Sequence, residues 1–224
     1  MSVEMFEAVI FDWDGTLANT KKIIVMAFQR ALNEIDCKIS NSFIERLIGI
    51  GSIETFREIL KFKNVRFDKS LLEFLVRKKV QFSIELNGDI TLFAGSRELL
   101  ESLEGRVKMG LASMNNRDFI DFMLRKFDLS NIFDSVITAN EIINAKPHPE
   151  IFQKCAKQLY VIPEKCVVFE DSVFGIQAAK QARMSCIAVL TGVYNTNEVK
   201  NKFPDIVVNS LEEKQKILNF IFHL

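Results

Sequence analysis

An uninterrupted apolar run, Ala8-Val9-Ile10-Phe11, leads directly into Asp12-Trp13-Asp14-Gly15-Thr16. Such a run is the pattern of a strand buried on both faces of a parallel sheet. In open α/β sheets ligands bind beyond the carboxyl ends of the strands, so this strand delivers Asp12 and Asp14 to the edge where chemistry takes place. Gly15 permits a tight turn directly behind them. Charges left unpaired at the end of a buried strand are costly. A metal ion, a phosphate transfer or both would give these acids a purpose; taken alone, the pair also fits a strand end whose acids cap a following helix.

Further apolar runs at 107–112, 134–138, 166–169 and 186–190 read as strands, and helical patterns at 96–103, 117–127, 149–159 and 174–181 lie between them. This alternation predicts an α/β fold, a Rossmann-like parallel sheet covered by helices on both faces in a three-layer αβα core. Residues 19–89 break the alternation with helical patterns only, at 20–35, 43–48, 53–62 and 70–86. Turn residues border the stretch, Asn19-Thr20 on one side and Asn87-Gly88-Asp89 on the other. The expected organisation is therefore a core from residues 1–18 and 90–224, with an all-helical subdomain, residues 19–89, inserted between the first and second strands.

Composition removes several classes of function. Hydrophobic residues make up 48% of the 224, enough for a packed core. Lys+Arg and Asp+Glu number 29 each, so no overall field favours nucleic acid. Residues 19–90 hold 13 Lys/Arg against 9 Asp/Glu, a small excess that a solvated helical surface explains as well as an anionic substrate does. No apolar run is long enough to span a bilayer, so no membrane partner is expected. The N-terminus has no basic stretch followed by an apolar one, and a secretory signal is not expected. The four cysteines, Cys37, Cys155, Cys166 and Cys186, form no CxxC pair and read as buried thiols of a reducing, cytoplasmic compartment. The oligomeric state cannot be read, and a monomer is compatible with everything above.

Three more groups fall just beyond predicted strands: Ser113-Met114-Asn115, Lys146 in Ala145-Lys146-Pro147-His148-Pro149, and Glu170-Asp171-Ser172. In a parallel sheet these ends face one side, so the groups can converge with Asp12 and Asp14. Their chemistry suits phosphoryl transfer. One carboxylate can attack phosphorus and carry the phosphoryl group. A second, protonated for part of the cycle, can protonate the leaving oxygen and later activate water. Mg²⁺ prefers oxygen ligands, which Asp12, Glu170 and Asp171 could supply. A hydroxyl followed by backbone N–H groups at a helix start binds an anion, and a lysine offsets charge on the phosphoryl oxygens.

These motifs, in this order, resemble the haloacid dehalogenase superfamily, in its phosphotransferase branch with a helical cap. The likeness spans nearly the whole chain, and the stretch 170–178, Glu-Asp-Ser-Val-Phe-Gly-Ile-Gln-Ala, is similar to the β-phosphoglucomutase and phosphoglycolate phosphatase subgroup. The resemblance implies that Asp12 is the nucleophile and a Mg²⁺ ligand. It implies that Asp14 is the general acid/base, with its backbone carbonyl also on the metal. Ser113, the backbone N–H of Met114 and Lys146 would hold the phosphoryl group. Asn115 would be a polar contact to phosphate or substrate, and Thr16 would support the phosphate loop. Glu170 and Asp171 would complete the metal site.

Dehalogenases of this superfamily lack the second acid, which Asp14 supplies here. Phosphonatases lack it too and use a cap lysine, whereas residues 46–50 contain none. β-Phosphoglucomutases carry a cap histidine where Ile24 stands and a cap arginine where Ser52 stands. The expectation is a phosphatase acting on a small phosphorylated metabolite, a monoester such as a sugar phosphate or phosphoglycolate, through an aspartyl-phosphate. A phosphomutase and a non-catalytic binding module on the same fold are the alternatives.

Other residues read as structure. His148 fits a helix start and His223 a surface position. Phe28, Phe43, Phe56, Phe62, Phe74 and Phe82 read mostly as packing inside the cap. Arg77-Lys78-Lys79 reads as a solvated helix face; the Trp13 ring could face the mouth of the site, with its backbone mattering more than its ring.

Overall fold

The computed structural model describes residues 6–223; residues 1–5, on which most of the signal-peptide reading rests, lie outside them. The chain begins with β1 (Ala8–Phe11) and a two-residue strand β2 (Ala18–Asn19), then runs through α1 (Lys21–Asn33), α2 (Asn41–Glu45), α3 (Ser52–Phe62) and α4 (Lys69–Glu85). It returns through β3 (Thr91–Leu92) into α5 (Ser96–Leu103), β4 (Lys108–Ala112), α6 (Arg117–Lys126), β5 (Ser135–Ile137) and α7 (Glu150–Leu159). The last third holds β6 (Cys166–Glu170), α8 (Val173–Gln181), β7 (Ser185–Val189), α9 (Thr196–Lys200), β8 (Ile206–Val208) and α10 (Lys214–Phe222).

Six parallel strands form the main sheet in the order β5-β4-β1-β6-β7-β8. This is the predicted α/β, Rossmann-like architecture. The alternation of side chains along each strand feeds two cores. Val9 and Phe11 join Leu111, Phe169 and Ile187 on one face, under α5, α6 and α10. Ile10, Val168, Cys186 and Ala188 face the other way, under α7 and α8. A third apolar cluster lies wholly within α1–α4, built on Phe28, Ile44, Phe56, Ile59 and Leu75.

The helical segment leaves and returns side by side, because β2 and β3 pair antiparallel at its base. This short ribbon is not expected from the sequence, nor are β8, α9 and α10: β8 is three residues at the sheet edge, too short for a periodic signal. The predicted helix at 43–48 is displaced, since α2 starts on its Ser40 cap and ends at Glu45.

Trp13 corrects another expectation. Its ring is fully buried and packs 6.1 Å from Phe127, not at the mouth of the site. The strand period continues past β1, so Val9, Phe11 and Trp13 share one core face.

Candidate active site

The register of the central strands decides which side chains meet. Phe11 lies opposite Leu111 on β4 and Phe169 on β6, so the residues that follow each strand emerge together. The result is a buried cluster drawn from four distant parts of the chain.

Lys146 is its hub. The side chain is completely buried, and Nζ donates to Asp12 Oδ1 at 2.6 Å, to Glu170 Oε1 at 2.5 Å and to the Ala112 carbonyl at 3.4 Å. Burial opposes the charge on Lys146, but the carboxylates of Asp12 and Glu170 outweigh it and hold the ammonium above its ordinary value. The Lys146–Pro147 peptide is cis. Exposed His148 starts the next helix, where Nδ1 accepts from the Glu150 N–H at 3.2 Å.

Asp12, Glu170 and Asp171 each place a carboxylate oxygen within 4.8 Å of the other two. Burial pushes Asp12 and Asp171 well above the usual carboxylate value, and repulsion from Glu170 raises both further. Buried acids crowded in this way are short of positive charge. The donor set is all oxygen, which fits a hard divalent cation. Glu170 is the most committed of the three. Its Oε2 accepts from the backbone N–H of Asp171 at 3.1 Å and of Ser172 at 3.0 Å, and from Ser172 Oγ at 2.9 Å, while Oε1 holds Lys146. Thr16, also fully buried, donates to Asp171 Oδ1 at 3.1 Å, so it orients an acid from behind.

Three glycines close around these acids. A Cβ on Gly15 or Gly192 would overlap the Asp171 carboxyl, and one on Gly175 would overlap that of Glu170. Gly15 also has φ +83°, a backbone state that side chains disfavour.

Asp14 belongs to a second network. It is half-buried; Oδ1 accepts from Thr20 Oγ1 at 2.7 Å and Oδ2 accepts from Asn115 Nδ2. Burial raises its carboxyl above the ordinary value despite the opposing pull of Lys79. Ser113 and Asn115 are buried beyond β4, with the Asn115 N–H bonded to Ser113 Oγ at 3.1 Å. Met114 follows between them and lines the pocket above Asp12 and Asp14.

Lys79 overturns the reading of 77–79 as a solvated face. Arg77 is exposed, but Lys79 is buried, and its Nζ donates to Asn115 Oδ1 at 2.6 Å. Burial lowers its ammonium from 10.5 to about 8, with Asp14 acting in the opposite direction. Leu72, Leu75, Lys79 and Ser83 form the buried stripe of α4. That helical spacing was the signal available in the sequence: a lysine and a serine continuing a leucine stripe. The six phenylalanines of the helical segment also divide: Phe28 and Phe56 are buried, Phe28 lining the pocket over Asp12 and Asp14, whereas Phe62 is 61% exposed.

The helical segment meets the core again at Arg46. Its guanidinium pairs with Glu198 at 2.5 Å and lies 4.4 Å over the Tyr194 ring, whose hydroxyl donates to the Arg46 carbonyl at 2.7 Å. Between these contacts the pocket over Asp12 and Asp14 keeps a free volume of only about 30 Å³, with Ile24 and Ser52 in its walls.

Comparison with known proteins agrees with this geometry. The haloacid dehalogenase-like hydrolase family matches residues 9–189, and the chain belongs to that family. It is 33% identical over 221 residues to a phosphorylated carbohydrates phosphatase of Thermotoga maritima, covering 96% of this chain and 98% of that one. Pyrophosphatase PpaX of Oceanobacillus iheyensis is 27% identical over 206 residues, 92% of this chain and 93% of its own. The crystal structure of β-phosphoglucomutase from Clostridium difficile superposes with a TM-score of 0.84 at 31% identity, over 96% of this chain and 98% of that one. The protein is thus an enzyme of a phosphatase and phosphomutase family. Among the described residues, no helix is long and apolar enough to cross a membrane.

Proposed function

We propose that the protein is a Mg²⁺-dependent phosphatase that hydrolyses a small phosphate monoester through an aspartyl-phosphate on Asp12. The observation that carries this reading is the pairing of two differently held acids. Asp12 sits on Lys146 beside Glu170 and Asp171, while Asp14 is held apart by Thr20 and Asn115. Separate environments let two carboxyls take separate roles.

An oxygen of Asp12 attacks phosphorus as the ester P–O bond breaks, and the leaving oxygen takes the proton of Asp14. Thr20 and Asn115 fix the position of the Asp14 carboxyl for this step. Asp14, now a carboxylate, takes a proton from water as that water attacks the phosphorus. The bond to Asp12 breaks, and inorganic phosphate leaves. Lys146 and the groups of 113–115 hold the phosphoryl oxygens. Asp12, Asp171 and the carbonyl of Asp14 would hold the Mg²⁺, with Glu170 buttressing Lys146 beside them. The ion supplies neutralisation of charge on the phosphoryl group. Residues 19–89 act as a cap. With so little room over Asp12, the cap opens to admit substrate and closes to exclude bulk water.

The relative of Thermotoga maritima supports a sugar phosphate or a similar metabolite as substrate. A phosphomutase is the second reading, supported by the likeness to the Clostridium difficile enzyme. Ile24 weighs against it, because this apolar side chain offers a sugar hydroxyl no acid or base in the pocket wall.

The test is release of phosphate from an aryl phosphate with Mg²⁺, in wild type and Asp12→Asn. Loss of release in the variant is expected. Equal release by both would remove Asp12 as nucleophile.

A further inference from the structure

The catalytic pocket does not stand alone. Gly51, Ser52 and Met114 form a wall shared with a cavity of about 370 Å³, which lies between α3 and the core segment 139–145. The pocket over Asp12 has room for little more than the reacting group, so the organic part of a substrate must extend into the larger space. Ile50, Ile53, Val76 and Ile142 give this cavity mainly aliphatic walls. Among the described residues that line it, Glu54 and Arg57 are the charged ones, and they are spent on each other: Arg57 Nη1 donates to both carboxylate oxygens of Glu54, one helical turn away. The side-chain oxygens of Asn116 and Asn140 are likewise engaged, by the backbone N–H groups of Asp118 and Arg117 at 2.9 Å each. Among the described residues that line it, the cavity's one cation, Arg57, is therefore already paired.

We propose that this cavity receives the leaving group and selects monophosphates of uncharged alcohols with an aliphatic face, against substrates that carry a second phosphate. The inference rests on the phosphatase reading above and narrows its substrate class. A second phosphate would lose water against aliphatic walls. It would also have to draw Arg57 away from Glu54, leaving that carboxylate beside an anion. A neutral chain meets neither penalty and gains contact with the isoleucines.

Matched compounds isolate the effect: butane-1,4-diol monophosphate and butane-1,4-diol bisphosphate share the carbon chain and the scissile primary ester and differ in the charge at the far end of the leaving group. The expected result is a kcat/KM for the monophosphate roughly tenfold or more above that for the bisphosphate, on the scale at which pockets discriminate small groups. Glu54→Gln frees Arg57 and narrows the ratio, while Arg57→Gln leaves Glu54 alone and widens it. Equal rates, or a preference for the bisphosphate, overturn the proposal. A wild-type preference that neither variant moves overturns its assignment to the Glu54–Arg57 pair. The phosphatase reading fails separately, and takes this inference with it, when no phosphate is released from either diol ester or from an aryl phosphate.

Discussion

Lys79 Nζ and Asn115 Oδ1 lie 2.6 Å apart, and this bond ties the helical segment to Asp14 of the core, because Asn115 holds Asp14 with its other end. Lys79→Met is expected to lower kcat by roughly 10–100-fold, within the range set by mispositioning of a catalytic group. Steady-state kinetics with an aryl phosphate check this, and a variant with wild-type kcat would detach Lys79 from the reaction.

The same lysine gives a pH dependence with a definite sign. It loses its proton near pH 8 when folded and near 10.5 when unfolded. Between those values the unfolded chain binds more protons, so this group makes the protein more stable as pH rises through the window. Activity runs the other way and declines above about pH 8, as the charge that orders Asn115 is lost. In Lys79→Met both slopes disappear. Denaturation and kcat/KM measured from pH 7 to pH 10 on both proteins give the answer.

Lys146 is fully buried between two carboxylates. Lys146→Met leaves Asp12 and Glu170 facing each other without their cation and is expected to cost about 3–5 kcal/mol of stability, besides activity. Urea denaturation measures it. A loss below about 1 kcal/mol, the scale of an exposed pair, would show that the cluster is solvated.

Removal of metal should abolish phosphate release, and Mg²⁺ should restore it. Because an ion bound to the folded chain alone stabilises it by mass action, Mg²⁺ should also raise the thermal midpoint of the wild type. Asp171→Asn should lose most of that rise. Full activity in excess chelator would remove the metal from the mechanism.

Gly175 lies inside α8, where alanine normally favours a helix by about 1 kcal/mol. Here the added methyl meets the Glu170 carboxyl, so Gly175→Ala is expected to destabilise the protein and disturb Lys146. Gly88→Ala, with nothing within 4 Å of its Cβ position, is the neutral control. Thermal melts of the two variants should move in clearly different degrees.

The acids of this site could be read from the sequence because each follows a buried strand, and strand ends in a parallel sheet converge whatever the intervening chain does. The same rule placed Ser113 and the second acidic pair. Lys79 escaped it because its position depends on how α4 docks over the sheet, and a lysine among basic neighbours looks solvated until its turn of helix is counted against Leu72 and Leu75. Trp13 departs from expectation for the opposite reason: the strand's alternation persists beyond β1 and sends the indole inward. The edge strand β8 left no trace, since only Val208 of its residues is buried.

Gly15 and Gly192 press the backbone against Asp171 from two loops, as Gly175 does against Glu170. There is no spare volume next to these acids, so almost any larger side chain introduced there displaces one of them. The wall formed by α3 and the 139–145 segment borders an open space of about 370 Å³ instead. Variation in a chain like this one can therefore accumulate along that wall while the acid cluster stays locked.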